Sequence, residues 1–360
     1  MKTNVISRLL TLIALFAITL PGYAQGNNSG KKFICRGIAF YNLENLFDTI
    51  NNNGNYDLEF SPNGARQWNS QKYELKINNL ARVIANMVTT TTPSGPAVIG
   101  VSEIENRSVL VDLCKAVDNY LIKDGKKPWN LQIVHHDSPD RRGVDVSLLY
   151  NPRQFRVIDV TNARVNIGYP TRDQMCVTGV LSGDTISVIV NHWPSRLGGE
   201  EKSSPNREKA AARCKETADS IWAIRPGQPV IIMGDLNDDP QNKSCAQVLA
   251  AKKDTKGVGI DGFYNPWWKM LDKGIGTLAY KGQWNLFDQI IVSGGLLEEN
   301  QDKDSNKFHY WKCQVNNFDF LKDTKGNRQN YPLRTFSGGV FLGGYSDHFP
   351  TEIFLIKEAK

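Results

Sequence analysis

Five strand-like segments follow one another between residues 131 and 191, at 131–135, 144–150, 155–160, 175–181 and 185–191. Each is short, rich in valine, isoleucine or aromatic residues and closed by turn formers, and Ser182-Gly183-Asp184 between the last two is a hairpin signal. Such a centre excludes a regular alternation of strand and helix. Helices are expected on either side of it. Leu75, Leu80, Val83, Ile84 and Met87 recur with helical spacing within 71–88; a second helix is expected over 108–121, and a third over 205–224 with Pro205 at its first position. Further strands are expected at 33–42, 97–101, 229–233, 286–292, 307–313 and 351–356. The pattern is that of an α+β layered fold. No GxGxxG or GxxxxGK[ST] follows a strand, so the main mark of a nucleotide-binding α/β fold is missing.

The first 24 residues stand apart. Lys2 and Arg8 precede an apolar run from Leu9 to Leu20, and Gly22-Tyr23-Ala24 offers a small-x-small cleavage site, the pattern of a secretory signal peptide. The run is shorter than the roughly 18–20 residues of a membrane span and stops at Pro21. An exported protein, periplasmic or extracellular, is therefore expected, with 25–32 as a flexible linker and 33–360 as a single domain. No second stretch approaches membrane length, so stable membrane insertion is not expected. The net charge of +6 includes Lys2 and Arg8, and the remaining excess of about +4 is too mild to mark a nucleic-acid partner by charge alone. Six cysteines (Cys35, Cys114, Cys176, Cys214, Cys245 and Cys313) form no CxxC or Cys/His cluster, which argues against zinc. Buried free thiols, with room for one bridge, are expected in a chain large enough to fold without staples.

Chemistry-bearing residues gather at the ends of the expected strands. Asn42 and Glu44 close the first, Glu103 and Glu105 the second, Asn191-His192 the hairpin strand, and Gly234-Asp235-Leu236-Asn237 the apolar strand at 229–233. Asp288 lies near the start of a later strand and Ser346-Asp347-His348 precedes the last. Singly, such residues are turn formers or surface groups; His135, His136 and Glu105 are read that way. As a set, carboxylates placed directly after buried strands cost free energy unless they bind something or reach water. Oxygen donors without thiolates suit Mg²⁺, Mn²⁺ or Ca²⁺.

The ordered segments YNLEN, SEIEN, RRGVDVSLLY, NHWPSR, GDLND, FDQI and SDH resemble the endonuclease/exonuclease/phosphatase (DNase I-like) superfamily, from Asn42 to His348. That resemblance implies a four-layer αββα sandwich in one domain and metal-assisted phosphoester hydrolysis by in-line water attack. It implies that Glu103, with Asn42 and Asp347, holds Mg²⁺ or Mn²⁺, that Asp235 orients or deprotonates the water, and that Asn237 binds phosphate or a second metal. His192 and His348 would then contact phosphoryl oxygens, with Asp288 orienting His348 and Asp145 orienting His192. Asp235 and Asn237, two apart, would share one side of an extended segment.

Substrate is less constrained. Arg142 and Arg196 are expected near a nucleic-acid backbone, with Arg141, Lys202 and Arg207 as further cations. Tyr264 to Trp268 (YNPWW) is the one candidate for a membrane-entering hairpin, with base stacking and core packing as its other readings and core packing favoured. A monomeric nuclease acting on DNA or RNA is the expectation. A phosphatase or sphingomyelinase-like enzyme, taking a small phosphate ester or a phospholipid, is the alternative, and a silent binding module the third.

Overall fold

A computed structural model describes residues 32–50, 57–302 and 305–359; the expected leader, and the expected linker apart from Lys32, lie outside the described residues. The first half of the chain forms β1 (Phe33–Leu46), α1 (Ser70–Ala85), β2 (Val98–Ile104), α2 (Arg107–Lys123), β3 (Gln132–His135), β4 (Asp145–Tyr150), β5 (Phe155–Ala163), β6 (Gln174–Leu181) and β7 (Asp184–His192). Then follow α3 (Glu200–Ile224), β8 (Val230–Asp235), β9 (Ala251–Lys252), β10 (Phe263–Tyr264), α4 (Trp268–Asp272), β11 (Leu278–Tyr280), β12 (Gln283–Asn285), β13 (Asp288–Ser293), β14 (His309–Val315), β15 (Phe336–Ser337), β16 (Val340–Phe341) and β17 (Thr351–Glu358).

Two large mixed sheets result, ordered β14-β17-β1-β2-β4-β3 and β5-β6-β7-β8-β13-β10-β9. Strand periodicity assigns their faces. Ile38 and Phe40 on β1 join Val188, Val190, Ile231, Met233 and Ile290 of the other sheet in the core between them. Ala39 and Tyr41 point the other way, onto Leu80, Ile84, Leu110 and Leu113 of α1 and α2. Ile189, Ile232 and Ile291 on the second sheet's outer face pack on Ala210, Ala211, Cys214 and Trp222 of α3. The order is helix, sheet, sheet, helix, as the family resemblance implied. The sheets approach so closely at Gly100 that a Cβ there would lie 2.4 Å from Met233 Sδ.

Local signals explain the element ends. Asn69 caps α1 by accepting from the Lys72 N–H, and Asn106 caps α2 by accepting from Ser108 and Val109. The two-residue turn Ser182-Gly183 has positive φ at both positions (44° and 105°), the geometry that matches strand twist in a tight hairpin. Several expected boundaries move: β1 runs past 42 to Leu46, β2 past 101 to Ile104 and β5 past 160 to Ala163. Helix α3 begins at Glu200, so Pro205 lies inside it and not at its start. Glu200 and Glu201 favour the positive N-terminal end of the helix dipole, and Ser203 Oγ donates to Gly199 O. Proline this near the start removes a single N–H from the ladder.

All six cysteines are free, five buried and Cys313 half-buried. Among the described residues no helix is long and apolar enough to cross a membrane.

Candidate active site

Parallel neighbours bring their carboxyl ends to the same edge. β1 pairs with β2 and β7 with β8 in parallel, while β13 enters that edge antiparallel, with Asp288 opposite Asp235. Register in the first pair shifts between Asn42 and Leu46, and the matching shift on β2 falls between Ser102 and Ile104. These bulges put Glu44, Asn45 and Glu103 in the left-handed region, at φ 48°, 53° and 59°. Bulges re-aim side chains, and non-glycine residues held there cost about 1–3 kcal/mol each, strain that persists where the surroundings over-determine it. Here the Asn45 N–H donates to Glu103 Oε2 at 3.0 Å and holds the carboxylate in place.

Around the rim, carboxylates and imidazoles alternate. His192 Nε2 lies 3.8 Å from Glu103 Oε1 and 3.7 Å from Asp235 Oδ2; His348 Nε2 lies 3.9 Å from Asp235 Oδ2 and 3.8 Å from Asp347 Oδ1. These separations exceed hydrogen-bond length, so both Nε2 atoms face a shared space without closing it. The supports behind them are tight. His348 Nδ1 donates to Asp288 Oδ2 at 2.7 Å, and Asp235 accepts from Asn42 Nδ2 and from the Asn237 N–H, both at 3.0 Å. Ser346 Oγ donates to Asn42 O and accepts from the His348 N–H, tying the last motif to the first.

The charges divide accordingly. Burial pushes the Asp235 carboxyl up to about 7, with Asp288 and Glu103 adding to the rise and His348 opposing it. Burial would raise Glu103 too, but Arg142, His192 and His348 outweigh it and bring the carboxyl down to about 2. Burial works against a charged His348, yet Asp288 and then Asp235 and Asp347 carry its pKa well above the ordinary histidine value. His192 goes well below that value, first by burial and then by Arg172. One imidazole is thus cationic at neutral pH and the other neutral.

Several residues in this set escape a reading of the sequence. Arg334 Nη2 donates to Asp347 Oδ2 at 2.7 Å, and its Nε donates to Glu44 Oε1 at 3.3 Å. Lys76, fully buried on α1, lies 3.6 Å from Glu44 Oε2 and donates to Thr335 Oγ1 and Tyr345 O. Its signal was readable, because it sits four residues before Leu80 in the helix's apolar stripe. Arg172 donates to the carbonyls of His192 and Trp193 and to Asp140, anchoring the end of β7. Nothing near Arg172 in sequence marks it, since its partners lie about 20 or more residues away.

Four expectations need correction. Asp145 does not orient His192: it accepts from Ser138 and lies 3.2 Å from His135 Nε2, while His192 Nδ1 has no hydrogen-bond partner among the described residues. Asn237 does not share an extended segment with Asp235. Its φ of 50° makes a turn in which its own N–H caps the Asp235 carboxylate, and its amide donates to Trp193 O. Arg196 is not free for a backbone phosphate. Its guanidinium engages Asn237 O, Glu200, Asp238, Asp239 and Asn242 and lies over the Phe287 ring. Arg207 is buried and paired with Asp238 at 2.7 Å. Arg142 remains at the rim, 46% exposed, donating to Asn45 Oδ1 and 3.5 Å from Glu103 Oε1. Of the YNPWW segment, Tyr264 and Trp267 are core, the indole N–H of Trp267 donating to Ile290 O. Glu105, read as structural, accepts from the Asp48 N–H.

The donor set suits a hard divalent cation. Glu103 and Asp347 both border the shared space, and each already attracts a guanidinium, Arg142 and Arg334. Among the described residues Asn42 Oδ1 accepts only the Glu44 N–H, which leaves a lone pair on the amide oxygen. Asp235, Asp288 and His348 also cluster closely enough to share an ion, but Nδ1 of His348 is committed to Asp288.

Comparison with known proteins bears on family and fold. The sequence profile described as "Endonuclease/Exonuclease/phosphatase family" matches residues 37–357. No curated protein matches in sequence. An endonuclease/exonuclease/phosphatase family protein of Bacteroides thetaiotaomicron superposes with TM-score 0.53 at 16% identity, over 91% of this chain and 96% of that one. Truncated TDP2 of Caenorhabditis elegans gives 0.52 at 14%, over 89% and 97%. A mannosyl-6-phosphatase of B. thetaiotaomicron gives 0.51 at 16%, over 89% and 99%. At these identities the likeness is one of fold.

Proposed function

This chain belongs to the Endonuclease/Exonuclease/phosphatase family, and we propose that it hydrolyses phosphodiester bonds in nucleic acid with the help of Mg²⁺ or Mn²⁺. The observation that carries the reading is the space bordered by Glu103, His192, Asp235, His348 and Asp347, where polar atoms converge at 3.7–3.9 Å without bonding one another. A phosphoryl group is a ligand with oxygens enough to meet all of them.

Glu103, Asp347 and the Asn42 amide oxygen would hold the divalent cation, which would supply Lewis-acid neutralisation of charge on phosphoryl oxygens. The chain's own groups do the rest. Asp235, fixed by Asn42 and the Asn237 N–H and shifted toward neutral pH, orients the attacking water and takes its proton. His348, kept cationic by Asp288, donates from Nε2 to a phosphoryl oxygen as negative charge grows there. Neutral His192 has no acceptor at Nδ1 among the described residues, so its proton is best used on Nε2, facing the same space.

A nucleic-acid strand is favoured by the cations left at the rim, Arg142 beside Glu103 and Arg334 beside Asp347. Burial of Tyr264 and Trp267 removes the feature that suited a lipid surface. Export to the periplasm or beyond is part of the proposal and rests on the Lys2–Ala24 pattern. The test is turnover of bis(p-nitrophenyl) phosphate, DNA and RNA by the purified mature chain in Mg²⁺, Mn²⁺ or EDTA. Cleavage that EDTA abolishes and either metal restores is expected. Undiminished cleavage in EDTA overturns the metal dependence, and intact DNA and RNA beside a hydrolysed phosphomonoester or phospholipid overturns the substrate.

A further inference from the structure

Beside the Asp347 edge of the site lies a cavity of about 240 Å³, lined among others by Asn45, Phe60, Arg66, Arg334 and Phe336 and by the Gly338-Gly339 turn. We infer that this cavity holds a non-scissile phosphate of the substrate strand, the one neighbouring the bond that is cut; the inference rests on the phosphodiesterase reading above.

Continuity with the centre comes first. Arg334 contacts Asp347, while Asn45 donates its N–H to Glu103 and accepts from Arg142. Two lining residues therefore touch the proposed cation ligands directly. Size comes second. The volume is below the ~300 Å³ at which whole small-molecule pockets begin, so it fits one polar group of a larger ligand.

Charge and geometry then choose the group. The Arg66 guanidinium lies 5.1 Å from the Phe336 ring centroid and 6.0 Å from that of Phe60, and these rings belong to an aromatic cluster with Phe47 and Trp68. Its ion partner, Glu59, is half exposed, so that pair holds Arg66 weakly. Arg66 Nε is buried without a hydrogen-bond partner among the described residues. Because Nε is closed to solvent, an anion in the cavity would meet the terminal nitrogens of this permanently charged group. Among the described lining residues the one carboxylate, Glu44, is answered by Lys76, Arg334 and the Thr335 N–H. Gly338 and Gly339, at φ 56° and 84°, form the β15–β16 turn in the lining, and a Cβ built on either would meet nothing within 4 Å. A planar cation weakly held by its exposed carboxylate partner, in the same lining as a second arginine, matches a phosphate better than a neutral group.

The test compares thymidine p-nitrophenyl phosphates that differ only in a second phosphate: the 5′-ester with and without a 3′-phosphate, then the 3′-ester with and without a 5′-phosphate. The enzyme should favour the doubly phosphorylated member of at least one pair by about tenfold or more in kcat/KM, the scale of a charge-assisted hydrogen bond. Arg66→Gln should bring that ratio toward one, and Arg66→Lys should keep part of it. If Arg66→Gln fails to fold, Ser337→Glu, which sets a negative charge in the same lining, should erase the ratio instead. A wild-type ratio of one in both pairs, or a ratio that survives Arg66→Gln in a folded protein, overturns the inference. If no ester is cleaved at all, the phosphodiesterase reading has failed. Calorimetric binding of thymidine 3′,5′-bisphosphate then decides for the cavity: weaker binding by Arg66→Gln supports it, and equal binding overturns it.

Discussion

His348 Nδ1 and Asp288 Oδ2 lie 2.7 Å apart, with Asp235 directly across the β8–β13 ladder from Asp288 and within 3.9 Å of the other imidazole nitrogen. Two carboxylates opposite each other in a sheet repel. The imidazolium between them relieves that repulsion and is itself kept charged by it.

Because the pair acts as a unit, its losses should not add. His348→Ala and Asp288→Ala should each lower kcat, Asp288→Ala less so, and the double variant should be no slower than His348→Ala. Measured rates that multiply instead would show two independent roles.

Asp235→Asn should lower kcat by about 10²-fold or more, the range of general base catalysis. It also turns an amide N–H toward Asn42 Nδ2, which now donates to Asp235. Combining it with Asn42→Asp reverses donor and acceptor, so the thermal midpoint should recover while kcat does not. Recovery of kcat in the double variant would remove the base from Asp235.

Arg142 and Arg196 should part company. Arg142→Gln should flatten the salt dependence of DNA binding by about one unit of slope and weaken all sequences alike. Arg196→Gln leaves Asp238 and Asp239 without a shared cation and should destabilise the fold by on the order of 3 kcal/mol, with the salt slope unchanged. A steeper loss of DNA binding than of stability in Arg196→Gln would return that residue to the substrate surface.

Glu352 gives a pH effect away from the site. Fully buried beside β1, with Oε2 accepting from Gln314 and Asn316, it is raised by burial from 4.5 to about 8. The folded state then holds a proton that the unfolded state releases, so this group's contribution to stability is fully present below about 4.5 and is lost as pH rises to about 8. In that window the slope is up to about 1.4 kcal/mol per pH unit. Glu352→Gln should remove this slope, and denaturant midpoints of the two proteins measured from pH 5 to 8 should diverge. Parallel curves would place a charged Glu352 in the fold.

Much of the architecture was legible along the chain. Period-two alternation at Ile38-Ala39-Phe40-Tyr41 and helical spacing at Leu80, Val83 and Ile84 specify which faces meet which layers, because burial depends on side-chain direction and direction follows from local backbone repeat. The placement of Glu103, His192, Asp235 and Asp288 at or beside strand ends was legible too, whereas Asn42 lies inside β1, which runs on to Leu46. The Asp288–His348 contact was implied by the family resemblance and is present at 2.7 Å, but most other contacts were not legible. Asp145 meets His135 instead of His192, Arg196 turns inward to Asp238, and Lys76 and Arg334 join Glu44 from positions far apart in the chain. A strand's period says which way a side chain points, but bulges at Glu103, the left-handed turn at Asn237 and the register between strands decide how far it reaches. Those depend on long-range pairing and packing, which only the folded chain possesses.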